Sequence, residues 1–104
     1  MSEIEDLTQI IRDFATRRDW EKFHTPKNLA MAITGEAGEL ASEFQWLTCE
    51  ESQDLSKESL ENIRLEIADV AIYLFRLCDV LKVNLSEAIK DKVSLNEVRF
   101  LESK

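Results

Sequence analysis

The chain has 104 residues, a length that indicates a single domain covering residues 1–104. It contains only two glycines and one proline, a composition that favours an all-helical fold over one rich in strands or loops. A formal net charge of −8 argues against a general nucleic-acid-binding protein, and no apolar run is long enough to span a membrane.

The start of the sequence and the cysteines bear on localisation. The segment MSEIEDLTQ is acidic and lacks an apolar core, so we expect no secretion signal there. Cys49 and Cys78 do not have the spacing of a CxxC or metal-knuckle motif, and we expect both to be reduced, with Cys49 at the surface and Cys78 buried. We therefore expect a cytoplasmic protein.

Hydrophobic periodicity and capping residues predict four helices in chain order. Thr25 is a suitable N-cap for the second helix, because Pro26 then occupies the first helical position. Ser56 can cap the third helix, and Asn84 with Glu87 has the N-cap pattern that opens the fourth. The predicted helices cover about residues 3–18, 26–47, 57–81 and 84–101. We expect them to form an antiparallel bundle in which the second and third helices face each other.

Two pairs of acidic residues lie within apolar stretches. Glu36 and Glu39 belong to NLAMAITGEAGELASEFQWL, and Glu66 and Asp69 belong to LEIADVAIYLFRLCDVL. The i, i+3 spacing places each pair on one side of its helix, and no Lys or Arg lies one turn away. Half-buried carboxylates without a basic partner repel each other or take up protons, unless a cation binds them. Facing pairs would form an all-oxygen site for Mg²⁺, for which Mn²⁺ could substitute.

Two glycines flank the first of these acids. Gly35 and Gly38 lie inside the second predicted helix, where each is about 1 kcal/mol less favourable than alanine. They indicate the close approach of either a ligand or a neighbouring helix.

Three segments together resemble a known enzyme family. GEAGELASEFQW, followed about twenty residues later by EIADVAIYLFRL, resembles the MazG-like all-α nucleoside triphosphate pyrophosphohydrolases. RDWEKFHTPKNLAMAITGEAGELASEFQW is especially similar to the dCTP pyrophosphatase-like branch, and the resemblance extends over about residues 18–96. It implies Mg²⁺-dependent hydrolysis of a (deoxy)nucleoside triphosphate, with dCTP or a related dNTP as substrate, to the monophosphate and pyrophosphate. The expected role is housekeeping of the nucleotide pool.

The resemblance also implies roles for individual residues. Metal binding is implied for Glu36, Glu39, Glu66 and Asp69, and substrate binding for Trp20, Trp46, Tyr73, Lys92 and Asn96. The two tryptophans correspond to base-binding positions, and the lysine and asparagine correspond to residues near the phosphates.

Two further positions bear on chemistry and specificity. Glu43 follows Glu39 by one turn and could act as a general base or as an additional metal ligand. Ile11 stands where a histidine is expected in the dCTP branch, which predicts tolerance of more than one base. His24 is expected to bond the backbone of its loop rather than to take part in catalysis.

Several alternatives remain on the sequence alone. A single histidine without a cysteine cluster argues against zinc, and the lack of ExxH pairs argues against a ferritin-like di-iron site. A non-catalytic helical dimerisation or regulatory module is the main alternative function, and hydrolysis of another pyrophosphate, such as a phosphoribosyl nucleotide, is a third.

The apolar faces of the helices predict self-association. Ile72 and Phe75 lie away from the main stripe of the third helix and leave a second apolar surface. We expect a homodimer or homotetramer, with the nucleotide site at or near the interface. The expected partners are thus a nucleoside triphosphate and other copies of the chain, without a nucleic-acid polymer or a membrane.

Overall fold

The computed structural model describes residues 2–102, which form helices joined by turns and short connections, without a strand over that range. The predicted all-α class is confirmed, with five α-helices and one 3₁₀ turn (Glu21–Phe23). The α-helices are α1 (Glu3–Arg17), α2 (Pro26–Ser42), α3 (Cys49–Ser52), α4 (Lys57–Leu81) and α5 (Leu85–Glu102).

The helices begin where their capping residues predict. The hydroxyl of Thr25 accepts a hydrogen bond from the Asn28 amide at 3.2 Å, and Pro26 opens α2. The Ser56 hydroxyl accepts from the Ser59 amide at 3.1 Å at the start of α4. The Asn84 side chain likewise accepts from the Glu87 amide at 3.0 Å at the start of α5. Each cap satisfies an amide that has no partner within its own helix.

The second helix is shorter than predicted, because it ends at Ser42 rather than near residue 47. The Ser42 hydroxyl donates to the Glu39 carbonyl at 2.7 Å, and a serine that binds its own helix in this way competes with the helical hydrogen bonds. The next amides bond three residues back, from Glu43 to Leu40 and from Phe44 to Ala41. The segment from 43 to 47 therefore forms tight turns.

A short helix occupies part of the connection that was predicted to be irregular. In α3 the Thr48 hydroxyl accepts from the Glu51 amide at 3.1 Å, and the Glu51 carboxylate accepts from the Thr48 amide at 2.8 Å. This reciprocal capping box stabilises a single helical turn.

Helix α4 is the centre of the fold and packs against both α1 and α2. The fully buried apolar core of residues 2–102 is small and comprises Ala15, Leu29 and Ile63. Neither cysteine forms a disulfide; Cys49 is exposed, and Cys78 is half-buried rather than buried as expected. No helix within residues 2–102 has both the length and the apolar character that crossing a membrane requires.

Helix α5 makes only slight contact with the other helices. The radius of gyration is 16.7 Å, whereas a compact domain of about 100 residues has a value of about 13 Å. More than half of the surface is exposed for most apolar side chains of this helix, namely Ile89, Val93, Leu95, Val98, Phe100 and Leu101. The four long helices are thus present, but the last one is not enclosed within a single chain.

Candidate active site

Three of the predicted carboxylates meet between α2 and α4. Glu36 comes from α2, and Glu66 and Asp69 come from α4. One carboxylate oxygen from each residue lies within 4.8 Å of those from the other two. The i, i+3 spacing on α4 and the packing of α2 on α4 together produce this group, which we call the carboxylate cluster.

The carboxylate cluster has no basic partner, and its protonation equilibria reflect this. None of the ion pairs within residues 2–102 involves its members. Burial raises the pKa of Glu36, and the charges of Asp69 and Glu39 raise it further. Burial also raises the pKa of Glu66, and the charge of Asp69 is the largest electrostatic contribution. Both shifts show that ionised carboxylates are disfavoured at this place.

One oxygen of the carboxylate cluster lacks any hydrogen-bond partner. Glu66 Oε2 is buried and accepts no hydrogen bond from the described part of the chain. A buried carboxylate oxygen is costly unless a donor or a cation satisfies it. The donor set is entirely carboxylate, which suits a hard divalent cation such as Mg²⁺ rather than zinc. The residues present therefore fit the metal that the sequence predicts.

The two remaining predicted acids lie at the edge of the cluster. The negative charges of Glu39 and Glu43 both raise the pKa of Glu66, which places them in its electrostatic neighbourhood. Glu39 is exposed on α2, and Glu43 is half-buried on the turn that follows the helix. Neither belongs to the group of three converging oxygens.

A cavity of about 440 Å³ opens beside the carboxylate cluster, and we call it the aromatic cavity. Trp20 packs against His24 with ring centroids 6.1 Å apart, and His24 packs against Tyr73 at 6.3 Å. Besides these three rings, the cavity walls include Ile11, Phe14, Glu36, Asp69, Ile72 and Arg76. A planar apolar ligand group can therefore lie between aromatic side chains while a charged group reaches the acids.

A buried arginine network supports one wall of the aromatic cavity. Arg76 is only 7% exposed; its Nε donates to His24 Nδ1 at 3.1 Å, and its Nη1 donates to Asp79 Oδ2 at 3.0 Å. Arg12 of α1 binds the same carboxylate through two hydrogen bonds of 2.8 and 2.6 Å. The hydrogen bond from Arg12 is the largest cause of the lowered pKa of Asp79.

Sequence reasoning missed this network. The expectation that His24 bonds its loop backbone is wrong, because its ring nitrogen Nδ1 accepts from Arg76. The available signal was an arginine within the apolar stretch IYLFRLCDVL, followed three residues later by an aspartate. Burial lowers the pKa of His24, and the positive charge of Arg76 lowers it further.

No protein-family model matches the chain. Human dCTP pyrophosphatase 1 is 40% identical over 99 residues, which cover 93% of this chain and 58% of that protein. The rat dCTP pyrophosphatase 1 is 39% identical over the same length, with the same coverage. Among solved structures, a pyrophosphatase from Archaeoglobus fulgidus DSM 4304 has a TM-score of 0.90 and 42% identity, covering 96% of this chain and 94% of its own.

The chain belongs to the MazG-like pyrophosphohydrolase family. The curated relatives agree with the dCTP pyrophosphatase-like resemblance of the sequence, and the archaeal structure is that of a pyrophosphatase. The chain spans a little under three-fifths of the length of the curated relatives it matches, 58% of the human protein.

Three predicted substrate residues neither belong to the carboxylate cluster nor line the aromatic cavity. Trp46 is 86% exposed on the turn after α2. Lys92 is exposed on α5, and Asn96 lies beside Val93 and Phe100 in a surface groove formed by α5 alone. Within one chain the aromatic cavity is thus lined by Trp20 and Tyr73 together with Glu36 and Asp69, but not by these three residues.

The glycines of α2 have open space around them. A methyl group added at Gly35 or Gly38 would meet no atom within 4 Å in the described part of the chain. Close packing of helices within one chain therefore does not require these glycines. The space beside them is open to a ligand or to a second subunit.

Proposed function

We propose that the protein hydrolyses deoxynucleoside triphosphates, dCTP or related nucleotides, to the monophosphate and pyrophosphate with Mg²⁺. The observation that carries this proposal is the carboxylate cluster, whose buried Glu66 oxygen has no partner, beside a cavity lined by aromatic rings. The names of the relatives, dCTP pyrophosphatase 1 and pyrophosphatase, support the same reaction. The reaction breaks the bond between the α and β phosphates and consumes one water molecule.

In the proposed reaction the acidic side chains have two roles, metal binding and acceptance of a proton. Glu36, Glu66 and Asp69 would hold the metal, with Glu39 next to them. When bound, Mg²⁺ supplies positive charge against the phosphate oxygens and lowers the pKa of a coordinated water. Glu43 is the candidate to accept a proton from the attacking water, because it is half-buried near Glu66 without being part of the cluster.

The aromatic cavity is the proposed site for the base. Trp20 and Tyr73 line it on either side of His24, and stacking on an aromatic side chain contributes about 1–3 kcal/mol per base. Glu36 and Asp69 belong to the same cavity, so a nucleotide with its base here would direct its phosphates towards the carboxylate cluster.

We further propose that the active species is a homodimer or homotetramer. The exposed apolar side chains of α5 and its slight contact with the rest of the chain support an interface there. A second subunit would also supply Trp46, Lys92 or Asn96 to a neighbour's site, which one chain alone does not do. A cytoplasmic role in nucleotide-pool housekeeping and activity with Mn²⁺ belong to the same proposal.

Pyrophosphate release from a panel of ribo- and deoxyribonucleoside triphosphates tests the proposed reaction. We expect release that requires Mg²⁺, is abolished by EDTA and is strongly reduced in Glu66→Gln. Glu61→Gln is the matched control, because Glu61 is an exposed carboxylate of the same helix that pairs with Arg64 outside the cluster. If the parent protein hydrolyses none of the nucleotides in the presence of Mg²⁺, the result would favour the alternative of a non-catalytic helical dimerisation or regulatory module.

A further inference from the structure

His24 lies in the aromatic cavity but has no role in the proposed reaction. It lies between Trp20 and Tyr73, half-buried, and lines both the aromatic cavity and a smaller neighbouring cavity of about 270 Å³. Ile11, which has no hydrogen-bonding group, lies in a wall of the aromatic cavity. The imidazole thus places a polar group between the side chains of Trp20 and Tyr73.

The hydrogen bond from Arg76 determines which ring nitrogen of His24 carries the proton. An arginine side chain only donates hydrogen bonds, so Nδ1 must offer its lone pair to Arg76 Nε at 3.1 Å. The neutral ring then carries its hydrogen on Nε2. Arg76 cannot easily turn away, because it is buried and also donates to Asp79, which Arg12 holds through two hydrogen bonds.

The other ring nitrogen remains available to a ligand. His24 Nε2 makes no hydrogen bond within the described residues, and it is not among the buried atoms that lack a partner. A donor that is accessible, has no protein partner and belongs to a cavity wall can bind an acceptor on a ligand.

We propose that His24 Nε2–H donates a hydrogen bond to an acceptor atom on the base of the nucleotide, and that Arg76 is the positioning residue that fixes this donor. The inference rests on the proposed function. A neutral donor between aromatic rings suits an uncharged carbonyl oxygen or ring nitrogen, whereas the phosphates belong near Glu36 and Asp69. Burial and the charge of Arg76 both lower the pKa of His24, in agreement with a neutral ring.

The arrangement of protons on the ring can be observed directly. His24 is the single histidine of the chain, so the imidazole ¹⁵N signals of the protein can be assigned to it without overlap. We expect the pattern of a neutral ring protonated at Nε2 in the parent protein, and a shift towards a mixture of tautomers in Arg76→Met. Arg64→Met, at an exposed arginine of the same helix, should leave the spectrum unchanged. A parent spectrum with the proton on Nδ1 would overturn the inference whether or not the variants fold.

Kinetics with two substrates test the contact with the base. His24→Leu should lower kcat/KM for the best nucleotide about tenfold, mainly through KM, as expected for one lost hydrogen bond. The same variant should leave hydrolysis of 2-deoxyribose 5-triphosphate, which has no base, at the parent rate. His24→Gln should restore most of the loss, because its amide nitrogen can take the place of Nε2 as a donor.

The outcomes separate this inference from the proposed function. Equal losses on the nucleotide and on the baseless triphosphate would place the contact on the sugar or phosphate and overturn the inference. Unchanged kinetics for His24→Leu on every substrate would also overturn it. A parent protein that hydrolyses no nucleotide would instead reject the proposed function, and the tautomer measurement would stand independently.

Discussion

Replacement of Glu36 by glutamine should stabilise the metal-free protein, whereas in the presence of Mg²⁺ the same replacement should leave the variant less stable than the parent. The cluster oxygens lie within 4.8 Å of one another, and two unit charges at that distance repel by about 3.5 kcal/mol at an effective dielectric constant of about 20. Glu36 is only half-buried, so solvent screening reduces the gain from removing its charge to about 1 kcal/mol. The sign follows from the raised pKa of Glu36, because a carboxyl group whose pKa is higher in the folded state destabilises that state when ionised.

Thermal unfolding at fixed protein concentration measures this reversal. In EDTA at pH 7, Glu36→Gln should melt above the parent, by about 4–8 °C for each kcal/mol in a domain of this size. With Mg²⁺ at a hundredfold excess over its Kd the parent should gain about 2.7 kcal/mol, and the variant, which lacks one ligand, should gain clearly less. The parent should then be the more stable protein.

The control for this experiment is Glu61→Gln, which should respond to Mg²⁺ as the parent does, because its carboxylate binds Arg64 outside the cluster. A Glu36→Gln variant that is less stable than the parent in EDTA would refute the repulsion argument. An equal Mg²⁺ response in both proteins would refute the assignment of Glu36 as a ligand.

Three further predictions follow from the fold and the site. Asp79→Asn should lower the free energy of unfolding by about 2 kcal/mol at pH 7. Because the hydrogen bond from Arg12 lowers the pKa of Asp79, an acid titration of stability should show the parent losing its extra stability as the pH falls through that lowered pKa. Trp20→Ala should raise KM for several nucleotides while leaving kcat closer to the parent value. The parent should accept more than one base because Ile11 lines the cavity, and a strict preference for dCTP would contradict this expectation. Light scattering should give a dimer or tetramer for the parent and a smaller mass for Val98→Glu on the exposed face of α5, whereas a fully active monomeric parent would reject the assembly.

Local sequence signals predicted the four long helices and the convergence of three of the four acids, because such signals act over one or two turns. The caps at Thr25, Ser56 and Asn84 are contacts between residues three apart, and the i, i+3 pair Glu66 and Asp69 needs only a helix to share a face. The end of α2 was missed because the sequence after Ser42 still has helical periodicity. There the Ser42 hydroxyl binds a backbone carbonyl of its own helix, and the next amides bond three residues back instead of four.

The parts that sequence reasoning missed depend on residues far apart in the chain. Arg12 and Asp79 are separated by 67 positions, and His24 and Arg76 by 52, so no local pattern connects them. The burial of Arg76 requires partners for its charge, and these come from other parts of the chain as well as from its own helix. Trp46, Lys92 and Asn96 do not line the aromatic cavity within one chain, and their proposed contribution to a neighbouring subunit stays a prediction.

The most direct test of the central claim is the release of pyrophosphate from dCTP and the other deoxynucleoside triphosphates by the parent protein and by Glu66→Gln. Glu66 contributes the buried oxygen that has no partner within residues 2–102, so the proposal that it holds the metal is the point on which the account depends. We predict hydrolysis by the parent that begins on addition of Mg²⁺ and stops on chelation, with strongly reduced activity in the variant. Hydrolysis at the parent rate by Glu66→Gln, or at an equal rate by the parent in EDTA, would contradict the account.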